Sequence, residues 1–149
     1  MEELIEDLKK LFASNYAFYL KAQYYHWNVE GPDFPQYHEF FGKIYEEVGS
    51  SIDKMAEHLR ALDAYAPGTF ARFVALVRGS DLEGDDTLPG ALAMATRLLE
   101  DNEKLLAMLI DVYRKAEAVD RLGLSNFLQD RIEAHRKHAW MLRATTKRV

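Results

Sequence analysis

DFPQYHEFFGKIYEEVGSSIDKMAEHLRALD, residues 33–63, reads as one long amphipathic helix, helix B. Phe40, Phe41, Ile44, Val48, Ile52, Met55, Leu59 and Leu62 recur at three- and four-residue spacing and form its core face. Asp33 is placed to cap it, with Pro35 in the first turn and Gln36 completing a capping-box-like pair. A second stripe holds His38, Gly42, Gly49, Asp53, Ala56 and Glu57 within an arc of about 100°. Its metal-binding side chains sit at the two ends and its small residues lie mostly between them.

At about 1.5 Å per residue, His38 and Asp53 are roughly 22 Å apart along the axis, so one ion cannot touch both ends of one copy. Two antiparallel copies remove that difficulty. A two-fold axis near Glu47 and Val48 sets His38 of one chain opposite Glu57 of the other, and Gly42 opposite Asp53. Each glycine costs about 0.8–1.0 kcal/mol relative to Ala in a helix interior, so the pair calls for compensation. Close approach of another helix backbone is the expected one; a tolerated kink is the alternative.

Working outward, helix A runs from about Glu3 to Asn28, with Leu4, Leu8, Leu11, Phe12, Tyr19 and Leu20 on its apolar face. Glu30, Gly31 and Pro32 end it. Beyond helix B, a long connection extends from Ala64 to about Asp86 and carries its own amphipathic piece, FARFVALVRG (70–79), capped by Thr69. Antiparallel neighbours need only a few linking residues, so this length suits a crossover along the bundle. Helix C spans about Leu88 to Ala118, capped by Asp86 or Thr87, with Leu92, Leu98, Leu99, Leu105, Leu106, Leu109 and Tyr113 in its core. A break at Asp120 to Gly123 leads to helix D, from about Ser125 to Thr145. Two helices, a long crossover and two more helices make an all-α, ferritin-like four-helix bundle with a short extra helix between B and C. Residues 1–149 carry no second-domain signal and read as a single domain.

The chain has no cysteine, which excludes disulfides, thiolate metal sites and thiol catalysis. MEELIEDLKK, at the start, is acidic and lacks the apolar core of a signal peptide. No apolar run approaches the roughly 18 residues of a membrane span, so a cytoplasmic location with no membrane contact is expected. The net charge of −5 opposes broad DNA binding, which needs clustered Lys and Arg. Arg143, Lys147 and Arg148 form only a short basic end, of the kind a helix C-terminus favours.

His26 lies on the inner edge of helix A, in register with Leu8, Leu11, Asn15 and Tyr19. Taken singly it is a core histidine, His38 a surface residue, and Asp53 with Glu57 a solvated acidic face. Together they are a different matter. Two carboxylates one turn apart repel, and a cation relieves them. Imidazole plus carboxylate suits iron, manganese or zinc at an open site.

YYHWNVEGPDF (24–34), followed by His38, by DKMAEHL (53–59) and by HAWMLRA (138–144), resembles the Dps family of miniferritins over nearly the whole chain. The resemblance implies a hollow homo-dodecamer that oxidises Fe(II), preferably with hydrogen peroxide, and stores the ferric product against oxidative damage. It implies a ferroxidase site between two subunits, with His26 and His38 from one and Asp53 and Glu57 from the other. Trp27 matches a tryptophan near that site, with core packing as its plainer role. The chain departs from the family at Gly42, where an aspartate is usual, so one strong iron position and one weak one are expected. Glu46, a turn further on, would face its own copy near the axis and is a poor substitute. The entry pore is not legible, since Glu117 and Asp120 are accompanied by Leu122 and Asn126.

Three other readings compete. A metal centre inside one bundle would need Glu-x-x-His pairs, whereas Glu133 and His135 are two residues apart and His138 lies further on. A shell or helical scaffold without chemistry finds its support in Gly42. A DNA-protecting protein has the wrong charge.

Overall fold

The computed structural model describes residues 1–80 and 82–148 of the chain. Six helical segments follow in order: α1 (Glu2–Asn28), α2 (Phe34–Gly49), α3 (Ile52–Ala61), α4 (Phe70–Val77), α5 (Ala91–Ala118) and α6 (Leu122–Thr146). With α2 and α3 as two halves of one interrupted helix, the arrangement is the expected four-helix bundle with α4 in the crossover. No strand occurs among the described residues. Among them too, no helix is long and apolar enough to cross a membrane.

In α1 the spacing of Leu4, Leu8, Leu11, Phe18, Ala22 and Tyr25 directs one continuous stripe inward. Glu2 and Glu3 stand in its first turn, where the helix dipole favours negative charge. The stripe meets Phe41, Ile44 and Val48 of α2, Met55 and Leu59 of α3, and Leu98, Leu105 and Leu109 of α5 in one apolar cluster. Lys21 of α1 pairs with Asp101 of α5 at 2.5 Å, both nearly buried, and ties the two helices at mid-length. In the crossover, the Thr69 hydroxyl accepts from the Arg72 N–H at 3.2 Å, the N-cap expected there.

Helix B is not continuous. Ser51 N–H bonds to the Val48 carbonyl rather than one residue further back, and the Ser50 and Ser51 hydroxyls donate to the Glu47 and Val48 carbonyls at 2.6 Å. Hydroxyls that bond back to the preceding turn compete with the helical ladder and bend it. Asn15 of α1 seals the joint by donating to the Ser51 hydroxyl at 3.3 Å.

Several helix ends and faces differ from expectation. Asp33 adopts φ 64°, in the left-handed region, and its side chain caps nothing, because the turn after Gly31 uses the Phe34 N–H to Gly31 carbonyl bond instead. Helix α5 begins at Ala91, after Pro89 and Gly90, so neither Asp86 nor Thr87 caps it. The Thr87 N–H and hydroxyl turn back onto the Asp85 carboxylate. Helix α6 starts at Leu122, three residues early. Leu20 and Leu92 are 48% and 44% exposed, outside the core expected of them. Asp63 and Asp120 close α3 and α5 at positive φ, where glycine is usual.

Candidate metal centre

The end of α1 and the start of α2 bring His26 and His38 together. Their rings stack with centroids 3.9 Å apart and planes 15° from parallel. The pairing is reciprocal: His26 Nδ1 lies 2.5 Å from the His38 carbonyl oxygen, and His38 Nδ1 lies 2.7 Å from the His26 carbonyl oxygen. A carbonyl only accepts, so each neutral ring carries its proton on Nδ1. Each Nε2 therefore keeps its lone pair, the state in which imidazole ligates a metal. Phe34 flanks His38 at 5.1 Å and Tyr45 flanks His26 at 5.2 Å. Both histidines are half-buried, whereas Trp27 is 62% exposed.

The two glycines of helix B face α1 of their own chain. A Cβ on Gly42 would lie 3.0 Å from Nδ1 and Cε1 of His26, and one on Gly49 would lie 2.9 Å from the Tyr19 ring. Within one chain, the glycines make room for two rings from α1, which the reading of helix B did not foresee. Reading helix B alone could not find this, because the occupants lie in another helix.

Asp53 and Glu57 sit one turn apart on the exposed face of α3. Among the described residues, no three His, Cys, Asp or Glu side chains of one chain gather closely enough to hold a metal. One chain thus joins the two histidines but does not bring the carboxylates to them. Glu46 is exposed and lines a surface cavity of about 400 Å³ with Tyr16, Tyr19, Tyr45, Gly49, Ile52 and Asp53. At the start of α6, Asp120 and Leu122 line a separate cavity with His58, while the Glu117 carboxylate accepts from the Tyr113 hydroxyl at 2.9 Å.

The middle of the bundle holds a polar group that the sequence reading missed. Arg131 of α6 makes a two-point ion pair with Glu47 of α2, at 2.6 Å and 2.9 Å. His138 Nε2 donates to Glu47 Oε1 at 2.8 Å. Arg131 also reaches His135 Nε2 at 3.2 Å, and His135 Nδ1 lies 2.7 Å from Asn102 Oδ1 of α5. Asn102 in turn donates to the His135 carbonyl at 2.9 Å. Burial raises the Glu47 pKa, but the bonds from His138 and Arg131 and the guanidinium charge outweigh it and hold the carboxyl well below its ordinary range. Burial, with the charge on Arg131, pushes His135 well below the usual histidine range and keeps it neutral. The signal was present on α6: Arg131, His135 and His138 recur among Leu128, Ala139 and Leu142 at core spacing. The donors expected of an intra-bundle centre thus face a guanidinium, and Glu133 is exposed.

A family model for the ferritin-like domain matches residues 5–149. The chain is 34% identical over 142 residues to an uncharacterised low temperature-induced protein of Nostoc sp. (strain PCC 7120), covering 95% of this chain and 78% of that one. It is 29% identical over 143 residues to DNA protection during starvation protein 2 of Bacillus anthracis, covering 96% of each. Among solved structures, it is similar to the Dps protein of Vibrio cholerae O1, described as a member of a broad superfamily of ferritin-like diiron-carboxylate proteins. That match has a TM-score of 0.88 at 28% identity and covers 98% of this chain and 90% of the other.

Proposed function

The chain belongs to the ferritin-like family, in its Dps miniferritin branch, and on that premise we propose that it oxidises Fe(II) with hydrogen peroxide and stores the ferric product. The reaction site lies between two subunits. His26 and His38 come from one, and Asp53 and Glu57 from the other. Two-fold dimers of this kind assemble into a closed cytoplasmic shell of twelve. Non-specific DNA binding is not part of the function, given the net charge of −5.

The stacked histidine pair carries this reading. Two rings hydrogen-bonded through Nδ1, with both Nε2 atoms left as acceptors, would make half of a metal site, and among the described residues no third ligating side chain of the same chain joins them. Asp53 and Glu57 are exposed and one turn apart, available to a second copy. Their charge stabilises Fe(III) over Fe(II) and so favours oxidation. Peroxide takes two electrons and two protons to become two waters, and delivery of both electrons within one site avoids releasing a radical.

Gly42 favours a second reading, a shell with weakened chemistry, because the usual carboxylate is absent and the His26 ring lies against the space a side chain there would need. Stopped-flow oxidation of Fe(II) by peroxide separates the two. Fast, saturable oxidation in the wild type that disappears in His26→Ala/Asp53→Ala supports the ferroxidase. Equal rates in both proteins, no faster than iron in buffer, leave a scaffold.

A further inference from the structure

Three tyrosines lead away from the histidine pair. Tyr45 lies 5.2 Å from His26, Tyr19 lies 5.8 Å from Tyr45, and Tyr16 lies 5.6 Å from Tyr19, all between ring centroids. Tyr16 then stacks on Phe73 of α4 at 4.7 Å. Separations of this size are ring-to-ring contact. Gly49 makes the middle step possible, since any Cβ there would meet the Tyr19 ring at 2.9 Å. Gln23 holds the Tyr19 hydroxyl at 3.3 Å. The three tyrosines share one surface cavity with the carboxylates of Glu46 and Asp53.

The missing carboxylate at Gly42 gives this row a task. Peroxide needs two electrons, and a site that holds one Fe(II) firmly provides one. We infer that Tyr45 provides the second electron, and that Tyr19 and Tyr16 carry the resulting hole toward α4. This inference rests on the ferroxidase reading. The balanced step is Fe(II) plus hydrogen peroxide plus tyrosine plus one proton, giving Fe(III), a neutral tyrosyl radical and two waters. The O–O bond breaks, as does the phenolic O–H bond. The phenolic proton passes to the product water, and solvent supplies the other proton. Peroxide is the only oxidant, iron and tyrosine lose one electron each, and no hydroxyl radical is released.

The test is rapid-freeze paramagnetic resonance of the full-length wild type, loaded anaerobically with Fe(II) and mixed with hydrogen peroxide, with peroxide consumption measured in parallel. A tyrosyl signal is expected, with about one peroxide consumed per Fe(II) oxidised. Tyr45→Phe removes only the hydroxyl; it is expected to abolish the signal and to halve the peroxide consumed per iron. Tyr113→Phe, remote from the site, serves as the control and retains both properties. Saturable oxidation with one peroxide per two Fe(II) and no tyrosyl signal overturns the inference while the ferroxidase reading stands. So does a Tyr45→Phe protein indistinguishable from wild type. If Fe(II) is oxidised no faster than in buffer, the ferroxidase reading fails and the inference with it.

Discussion

The His26 ring lies tight against the space that a side chain at Gly42 would fill, with Nδ1 and Cε1 each 3.0 Å from the position of a Cβ. The ring is held there by its bond to the His38 carbonyl and by the stack with His38. An aspartate at this position would add a ligand only by shifting the histidine a few tenths of an ångström. Gly42→Asp is therefore expected to raise Co(II) binding from one ion per site toward two, at slightly weaker affinity for the first. Anaerobic titration followed by visible absorption reads both quantities. Unchanged stoichiometry and unchanged iron oxidation would sink the account in which Gly42 limits the site.

A site shared between subunits can be rebuilt from two damaged chains. His26→Ala and Asp53→Ala homo-oligomers are each expected to be inactive. When dissociated and reassembled together, every mixed dimer regains one intact site of its two. Random pairing then restores about one quarter of wild-type capacity. Complete failure to complement, with mixed assembly verified by mass spectrometry, would place the donors within one chain.

Arg131 and Glu47 are expected to matter more for stability than for chemistry. Removing the guanidinium leaves a carboxylate and two histidines facing one another inside the bundle. A fully buried pair broken in this way costs about 3–5 kcal/mol. Because the Glu47 side chain is 36% exposed, water offsets part of that cost, and Arg131→Met should lose about 2–3 kcal/mol. Urea unfolding measures it, and a loss below about 0.5 kcal/mol, the range of ordinary surface substitutions, would show the network to be incidental.

The same network sets the response to acid. His135 stays neutral in the fold, while the unfolded chain protonates it below about pH 6.5. The unfolded state then binds the extra proton, so stability falls as pH drops through that value. Glu47 keeps its charge in the fold but gains a proton in the unfolded chain below about pH 4.5, which steepens the loss. Each such proton contributes a slope of about 1.4 kcal/mol per pH unit. Glu47→Gln is expected to flatten the limb below pH 4.5 relative to wild type. An unaltered slope in urea unfolding at several pH values would contradict the assignment.

The four long helices and the crossover helix were legible because each repeats its apolar residues at helical spacing, a signal contained within the segment. What the sequence hid depends on a second element. Leu20 and Leu92 look like core residues, yet the way the helices pack leaves both about half exposed. Gly42 and Gly49 announce close packing, but not that the partners are His26 and Tyr19. The break after Gly49 was weighed only as a kink, because two serines beside a glycine do not reveal whether their hydroxyls turn back on the helix. Of the candidate site, the structure pairs His26 with His38, and within one chain it leaves Asp53 and Glu57 apart on the exposed face of α3. The Glu47 and Arg131 pair was not anticipated, although arginine among leucines on one face of α6 marked the position.

The joint at Ser50 and Ser51 divides the stripe between two segments, leaving His38 and Gly42 on α2 and Asp53 and Glu57 on α3. In the proposed dimer, the elbow lies close to the symmetry axis. A few degrees of bend there would carry the carboxylates of each copy toward or away from the histidines of the other, and symmetry repeats the movement at the opposite end. In that dimer the joint would work as a coarse focusing screw, through which both ends of one interface are tuned by a single angle.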